Sequence, residues 1–296
     1  MQSEEIFRQG GESLDISDFN ITIVGLGLLG GSMAMALRAL GPGNLSGIDR
    51  DEKAIEFALK SGIIDSGHTD SETALRQADI VIICLYPDQI VKYIKDNLNF
   101  FKKGAIITDI AGIKSEIVRE ISSIEGRDFE FISGHPMAGN EYKGIQHADG
   151  EMFRNANYII TPLEENKEES IELISTLMKK IGFKNVIRVT PEKHDRIIAL
   201  TSHLTHIIAV SLVNSNMLDV DTKLFIGGSF KDASRVALIN CELWPQLLIS
   251  NKENVIEQIE LFEENIRSIK AAIRNDDSEL LEKQFQQASM RRKEIL

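Results

Sequence analysis

The sequence predicts an α/β domain on a parallel sheet over residues 20–189, followed by an all-helical domain over residues 190–296. Three observations carry this. Short, almost fully apolar runs alternate with helical segments up to Val189, the pattern of strands covered on both faces by helices. The first run leads directly into a glycine-rich turn that opens a helix. After Pro191 the strand pattern stops and helical periodicity alone remains.

Taken in order, residues 1–19 are polar and aperiodic and read as a loose N-terminal arm. Strands are expected over Ile21–Val24, Leu45–Ile48, Asp79–Leu85, Ala105–Asp109, Glu130–Ser133, Tyr158–Thr161 and Asn185–Val189. Helices are expected over Asp51–Lys60, Asp88–Asn97, Lys114–Ser122 and Asn166–Ile181. The C-terminal part reads as helices over Pro191–Leu218, Lys231–Ser250, Lys252–Arg274 and Ser278–Ile295, with a loop at Gly227-Gly228. Within Lys252–Arg274, Ile259, Phe262, Ile266, Ile269 and Ile273 recur at steps of 3, 4, 3 and 4. That spacing makes a seam facing another helix, in its own chain or in a second subunit.

Composition narrows the function classes. Of 296 residues, 33 are Lys or Arg and 45 are Asp or Glu, a net charge of −12. With no basic cluster, nucleic acid is not an expected partner, because neutralising phosphates needs a basic surface. The apolar stretch Ile197–Leu218 contains Ser202, His203, His206, Asn214 and Asn216, which are costly in lipid. It reads as a buried helix, with no membrane partner. The N-terminus, Met1-Gln2-Ser3-Glu4-Glu5, lacks the apolar core of a signal peptide. Cys84, inside an apolar run, and Cys241 form neither a disulfide framework nor a CxxC pair. A cytoplasmic protein is expected.

The glycine-rich turn reads Val24-Gly25-Leu26-Gly27-Leu28-Leu29-Gly30-Gly31-Ser32. Placed between strand and helix, it is the Rossmann-type dinucleotide signature. Gly25 permits the tight turn, Gly27 lets backbone approach a pyrophosphate, and Gly30 lets helix pack on strand. The N–H groups of Leu28, Leu29 and Gly30 then face the phosphates at the helix N-terminus. Asp49 lies 19 residues beyond Gly30, at the end of the second strand, where an acid holds ribose hydroxyls. Asp49 repels a 2′-phosphate and favours NAD, while Arg50 beside it keeps NADP open as the lesser choice. S-adenosylmethionine enzymes share a glycine turn, but a shorter one.

In such sheets ligands sit beyond the carboxyl ends of strands, so the residues there carry the chemistry. Three ends stand out: Leu85-Tyr86-Pro87, Thr108-Asp109-Ile110-Ala111-Gly112-Ile113-Lys114, and Ser133-Gly134-His135-Pro136-Met137-Ala138-Gly139-Asn140-Glu141. Pro136 forces His135 toward an extended conformation, aiming its imidazole into the crevice. An imidazole suits a general base near neutral pH; the alternative is a turn histidine with a structural hydrogen bond. On the first helix after Pro191, His203 and His206 share a face, and no further ligands follow to make a metal site. Arg235, three residues after Asp232, is a surface-pair partner or a grip for a substrate carboxylate.

The ordered set Gly25–Ser32, Gly-His-Pro-Met-Ala-Gly-x-Glu (134–141), Ser-His-Leu-x-His (202–206) and Phe-x-Asp-x-x-Arg (230–235) resembles the prephenate dehydrogenase family of tyrosine biosynthesis, over about residues 20–290. The resemblance implies NAD-dependent oxidative decarboxylation of prephenate to 4-hydroxyphenylpyruvate, with arogenate as the alternative substrate. It implies His135 as the base, and Leu85 and Pro87 beside the cofactor. Arg235 would hold a carboxylate, with His203 and His206 lining the pocket and Glu141 and Asp232 forming a charged gate with Arg235. It also implies a homodimer through the helical domain, with Gly228 and Trp244 reaching the neighbouring site. Two departures stand out. Many members carry Ser where this chain has Gly112, a hydroxyl that would touch both substrate and the catalytic His. Their Ser-His-Leu-Pro-His is here Ser-His-Leu-Thr-His, a change expected to be harmless on a helix.

Two other classes fit less well. Related hydroxyacid dehydrogenases need a lysine within the helix that here holds only Lys193, at its start. An NAD-sensing regulator needs a partner surface, and no helix-turn-helix or basic patch is present. Family members often carry a chorismate mutase or a small amino-acid-binding module; the two domains use residues 20–296, so neither is expected.

Overall fold

The apolar runs pair into a parallel sheet, as expected. In the computed structural model, which describes residues 14–140, 142–215 and 220–295, the strands are β1 (Asn20–Val24), β2 (Asn44–Ile48), β3 (Ser66–His68), β4 (Ile80–Ile83), β5 (Ile106–Asp109) and β6 (Glu130–Phe131). Their order is β3-β2-β1-β4-β5-β6, and every pairing is parallel. The order reverses between β1 and β4, which opens a crevice at the carboxyl ends of those two strands. β4 shows why an uninterrupted apolar run is required. Ile80 and Ile82 pack into the layer on one face and Val81 and Ile83 into the other, and all four are fully buried. Truncating any of them to Ala would cost about 2–5 kcal/mol.

The covering helices are α1 (Leu28–Arg38), α2 (Glu52–Lys60), α3 (Glu72–Leu75), α4 (Pro87–Asp96) and α5 (Ser115–Ser122). β3 and α3 carry no apolar periodicity and were not expected; β3, Ser-Gly-His, is held by its ladder with β2. The run expected as one strand over Glu130–Ser133 divides at Ile132. Glu130 and Phe131 finish the parallel sheet, and β7 (Ser133–Pro136) leaves it to pair antiparallel with β8 (Asn157–Thr161). β9 (Asn185–Arg188) lies parallel to β8 and completes this second sheet, backed by α6 (Glu168–Lys180). The later strands therefore do not extend the parallel sheet.

Residues 1–13 of the expected arm lie outside the described residues, but its end is not loose. Ile16–Asp18 forms a 3-10 turn, capped by the Asp15 side chain, and Ile16 and Phe19 are buried in the core.

The helical part begins with a rod: α7 (Pro191–Ile198), a π-helical turn (Ala199–Leu204) and α8 (Thr205–Asn214). By length and composition this rod could cross a membrane, with mean hydropathy 1.6 in its most apolar window. It carries buried His194, Asp195 and His203, and its π turn packs against α12 (Lys252–Arg274). The rod is not buried all round as expected: 28% of that window is covered, and Ile197, Leu200 and Leu212 are exposed. Between them lie α9 (Val220–Leu224), α10 (Gly228–Ser234) and α11 (Trp244–Ser250), and α13 (Ser278–Ile295) follows α12.

The expected helix over Lys231–Ser250 is broken. Pro245 cannot sit inside a helix, so it starts a new one at the first turn of α11. Asn240 stabilises the break, its Oδ1 accepting from Glu242 N and Leu243 N. Gly228, expected in a loop, begins α10. The seam on α12 is only partly covered: Ile266 and Ile273 are exposed, and Ile259, Phe262 and Ile269 are half-buried.

Candidate active site

The turn after β1 can be built only from glycine at two of its positions. Gly25 has φ +92°, and a Cβ there would stand 2.6 Å from the Cys84 carbonyl oxygen at the end of β4. A Cβ on Gly30 would lie 1.8 Å from the Gly25 carbonyl oxygen. A Cβ on Gly27, by contrast, would meet nothing within 4 Å, which leaves its backbone open to an approaching group. Gly27 caps α1 without a side-chain hydrogen bond, so the first-turn N–H groups of Leu28, Leu29 and Gly30 face a ligand position.

Asp49 stands at the end of β2 beside this turn. Its carboxylate accepts from Leu26 N at 2.6 Å and from Asp51 N at 2.9 Å, so the acid braces the turn as well as facing the crevice edge. Arg50 is exposed next to it. Across the crevice, half-buried Leu85 and buried Pro87 form the entry to α4, with Pro87 in its first turn. The residues fit a dinucleotide: an open glycine backbone, an uncapped helix N-terminus and an acid at the ribose end.

His135 sits on β7 on a scaffold laid down by Asp109 and Lys114. Asp109, at the end of β5, accepts from Ser133 Oγ at 2.7 Å, Gly134 N at 3.2 Å, Ala111 N at 3.0 Å and Lys114 Nζ at 2.6 Å. Lys114, fully buried, also donates to the Gly134 carbonyl at 2.5 Å. Gly134 must be glycine, because a Cβ there would lie 1.9 Å from the Tyr158 hydroxyl. The His135 imidazole is half-buried, with Nδ1 2.8 Å from His194 Nε2. Its Nε2 lies on the Gly112 side, 3.7 Å from where a Gly112 Cβ would be. Burial holds His135 well below the ordinary imidazole range, and His194, Lys114 and His203 push in the same direction. The neutral imidazole is the favoured form.

The helical part supplies the rest. Leu247 of α11 is buried over Ala111 and Ile113, beside Gly112. Trp244 lies half-buried against two histidines of its own chain, its ring centroid 3.9 Å from that of His206 and 6.0 Å from that of His203. The two histidines therefore do face one way. His203, however, is almost wholly buried, with Nδ1 3.3 Å from Asn251 Nδ2, and burial pulls it down to about 4. His206 is half-exposed and borders the open side; burial lowers it and the nearby Arg235 adds to this. Arg235 and Asp232 are both exposed, and Arg235 forms no ion pair among the described residues. Gly228 stands at the start of α10 with open space at its Cα. Glu141, the expected gate residue, lies outside the described residues.

Three contacts close the helical part over the crevice: Lys143 with Glu242 at 3.1 Å, Asn240 Nδ2 donating to Tyr86 Oη at 3.0 Å, and Asp88 N donating to Gln246 Oε1 at 3.3 Å. His194, Asp195 and Asn251 join the site without a motif that marks them in the sequence. His194 lies 59 positions from His135, and no local spacing pattern announces their contact. The one visible signal was an adjacent pair of titratable residues in the first turn after Pro191.

Comparisons with known proteins agree with this arrangement. Residues 33–187 match the family described as "Prephenate dehydrogenase, nucleotide-binding domain", and residues 190–287 match "Prephenate dehydrogenase, dimerization domain". A prephenate dehydrogenase of Lactococcus lactis is 34% identical over 274 residues, covering 90% of this chain and 75% of its own. The crystal structure of prephenate dehydrogenase from Aquifex aeolicus, in complex with hydroxyphenyl propionate and NAD+, superposes with a TM-score of 0.86 at 30% identity, covering 97% of this chain and 100% of that one. Synechocystis arogenate dehydrogenase superposes with a TM-score of 0.80 at 28% identity, covering 93% and 99%. The chain belongs to the prephenate dehydrogenase family.

Proposed function

We propose that this enzyme oxidises prephenate with NAD, releasing carbon dioxide and 4-hydroxyphenylpyruvate, as a soluble cytoplasmic homodimer joined through its helical domain. The observation that carries this is the setting of His135, a neutral imidazole with Nδ1 held by His194 and Nε2 on the Gly112 side, beyond the end of β5. NAD, bound on Gly25, Gly27, the first turn of α1 and Asp49, supplies the hydride acceptor. His135 Nε2 takes the proton from the ring hydroxyl of prephenate as hydride leaves the same carbon. The carboxylate then departs as carbon dioxide, its electron pair completes the aromatic ring, and the proton returns to the ring oxygen. Arg235, on the open side, holds a substrate carboxylate, and His206, packed in place by Trp244, lines the pocket. Asp49 disfavours the 2′-phosphate of NADP. The half-covered seam of α12 and the exposed face of α7 supply apolar surface for the second subunit.

The test is NADH formation by the purified protein, with NAD against NADP and prephenate against arogenate. Prephenate with NAD should give the highest kcat/KM. The similarity to an arogenate dehydrogenase makes arogenate the second reading, and a higher kcat/KM on it would replace prephenate. Absence of reduced nucleotide with either substrate would refute the proposal.

A further inference from the structure

The nitrogen that His135 presents to the crevice is selected by hydrogen bonds that start in the helical domain. The Asp195 carboxylate accepts from Lys114 N at 2.9 Å, Ser115 N at 2.8 Å and His194 Nδ1 at 2.7 Å. Burial alone would raise this carboxyl, but hydrogen bonds from His194 and Ser115 outweigh it and leave Asp195 below the usual carboxylate range. An ionised carboxylate can only accept, so His194 carries its proton on Nδ1. The Nε2 of neutral His194 is then a lone pair. It lies 2.8 Å from His135 Nδ1, which must be the donor. His135 is thereby left with its lone pair on Nε2, the nitrogen on the Gly112 side.

We infer that His194 and Asp195 are positioning residues for the base: they hold His135 in the Nδ1–H tautomer and steady the imidazolium formed when Nε2 takes a proton. The inference rests on the reading of His135 as the base. Three features of the setting favour it. His194 and Asp195 are almost fully buried, so their geometry is not exchanged for water. Asp195 is fixed independently of the histidines by its two backbone donors at the start of α5. Finally, Gly112 offers His135 no side-chain partner on its other nitrogen. The charged and titratable groups facing His135 are His194 from α7, Lys114 ahead of α5 and His203 from the π turn; those facing His194 are Asp195, Lys114 and Asp109. Lys114, lowered by burial but paired with Asp109, pushes both imidazoles down, so the relay acts on a neutral imidazole pair.

Two measurements test this on the whole chain. In protein labelled with 15N-histidine, long-range nitrogen–proton correlation spectra should show His135, assigned by loss of its signals in His135→Asn, as the Nδ1–H tautomer. In the kinetic arm, His194→Leu should lower kcat on the order of 100-fold, with KM and NAD affinity within about threefold. His194→Gln, whose carbonyl can accept from Nδ1–H, should recover about tenfold of that loss. An Nε2–H tautomer in the parent overturns the inference. So does a His194→Leu enzyme within about threefold of the parent kcat, or a loss that follows a lowered Tm with no recovery in His194→Gln. If the parent oxidises neither prephenate nor arogenate, the proposed reaction fails, while the nitrogen spectra still decide whether the relay exists.

Discussion

Gly112 offers a controlled way to ask whether His135 Nε2 is the working nitrogen. Its backbone lies outside the left-handed region, so a side chain brings no backbone strain there. A Cβ would stand 3.7 Å from His135 Nε2 and 3.2 Å from Leu247 Cδ2. Gly112→Ala and Gly112→Ser share that Cβ and its pressure on Leu247, so their difference isolates one hydroxyl. In Gly112→Ala the methyl stands against the nitrogen with nothing to offer, and kcat/KM should fall below the parent. In Gly112→Ser the hydroxyl, one bond further out, comes within hydrogen-bonding reach of Nε2 and of a substrate hydroxyl. Such a bond is worth about 0.5–1.5 kcal/mol to a neutral imidazole and about 1.5–3 kcal/mol once the imidazole is charged. Only the difference, about 1–1.5 kcal/mol, favours the transition state over the free enzyme, so at 1.4 kcal/mol per factor of ten the serine variant should exceed the alanine variant by about 5- to 12-fold in kcat/KM. The assay is initial-rate NADH absorbance at saturating NAD with prephenate varied, and Tm measured on both variants. Equal kcat/KM for the two variants at equal Tm would refute the placement of Nε2 at the reacting hydroxyl.

Three further outcomes follow from the same geometry. His135→Asn should keep NAD affinity, measured by fluorescence titration, and lose turnover by about 100- to 10,000-fold; a near-parent rate would remove His135 from the mechanism. Gly30→Ala, whose Cβ would meet the Gly25 carbonyl at 1.8 Å, should distort the nucleotide turn, and the same titration should show affinity for NAD weakened by about tenfold or more. His203, 1% exposed, is held by burial at about 4 against 6.5 unfolded, so the unfolded chain takes up its proton first. Its contribution to stability is complete above the unfolded value and is lost as pH falls from there toward about 4. Between about pH 7 and pH 5 that loss is about 2 kcal/mol, and His203→Gln should remove it from the urea-unfolding free energy; an unchanged pH dependence in the variant would contradict the burial of a neutral imidazole.

The nucleotide half was legible because its physics is local. Gly25 is required by its own positive φ and Gly30 by the Gly25 carbonyl in the same turn, and Ile80–Ile83 is apolar because both faces of β4 are covered. Where covering and pairing are decided by distant partners, the reading failed in identifiable ways. Ser66-Gly67-His68 became a strand through its ladder with β2, and the run at Glu130–Ser133 divided because Ser133 pairs with Thr161 in another sheet. The expected helix over Lys231–Ser250 spans Pro245, and a proline there marks a new start. Within the site, His135 and His206 could be singled out from their own motifs. Asn251 could not, because its contact with His203 spans 48 positions, and nothing near it in sequence shows a buried amide.

The distribution of the site over both halves has a mechanical consequence. Helix α5 begins at Lys114 without a side-chain cap of its own, and the carboxylate that serves its first N–H groups is Asp195, 80 residues onward in the other part of the chain. A carboxylate at a helix N-terminus is held both by those hydrogen bonds and by the helix dipole, together about 1 kcal/mol or more. Its remaining hydrogen bond goes to His194, and Lys114 at the same junction donates to the carbonyl of Gly134, immediately before His135. One junction therefore links the seating of the helical part, the backbone before His135 and the hydrogen bond on its Nδ1. A movement that lifted α7 from α5 would therefore uncap the helix and release His135 Nδ1 together.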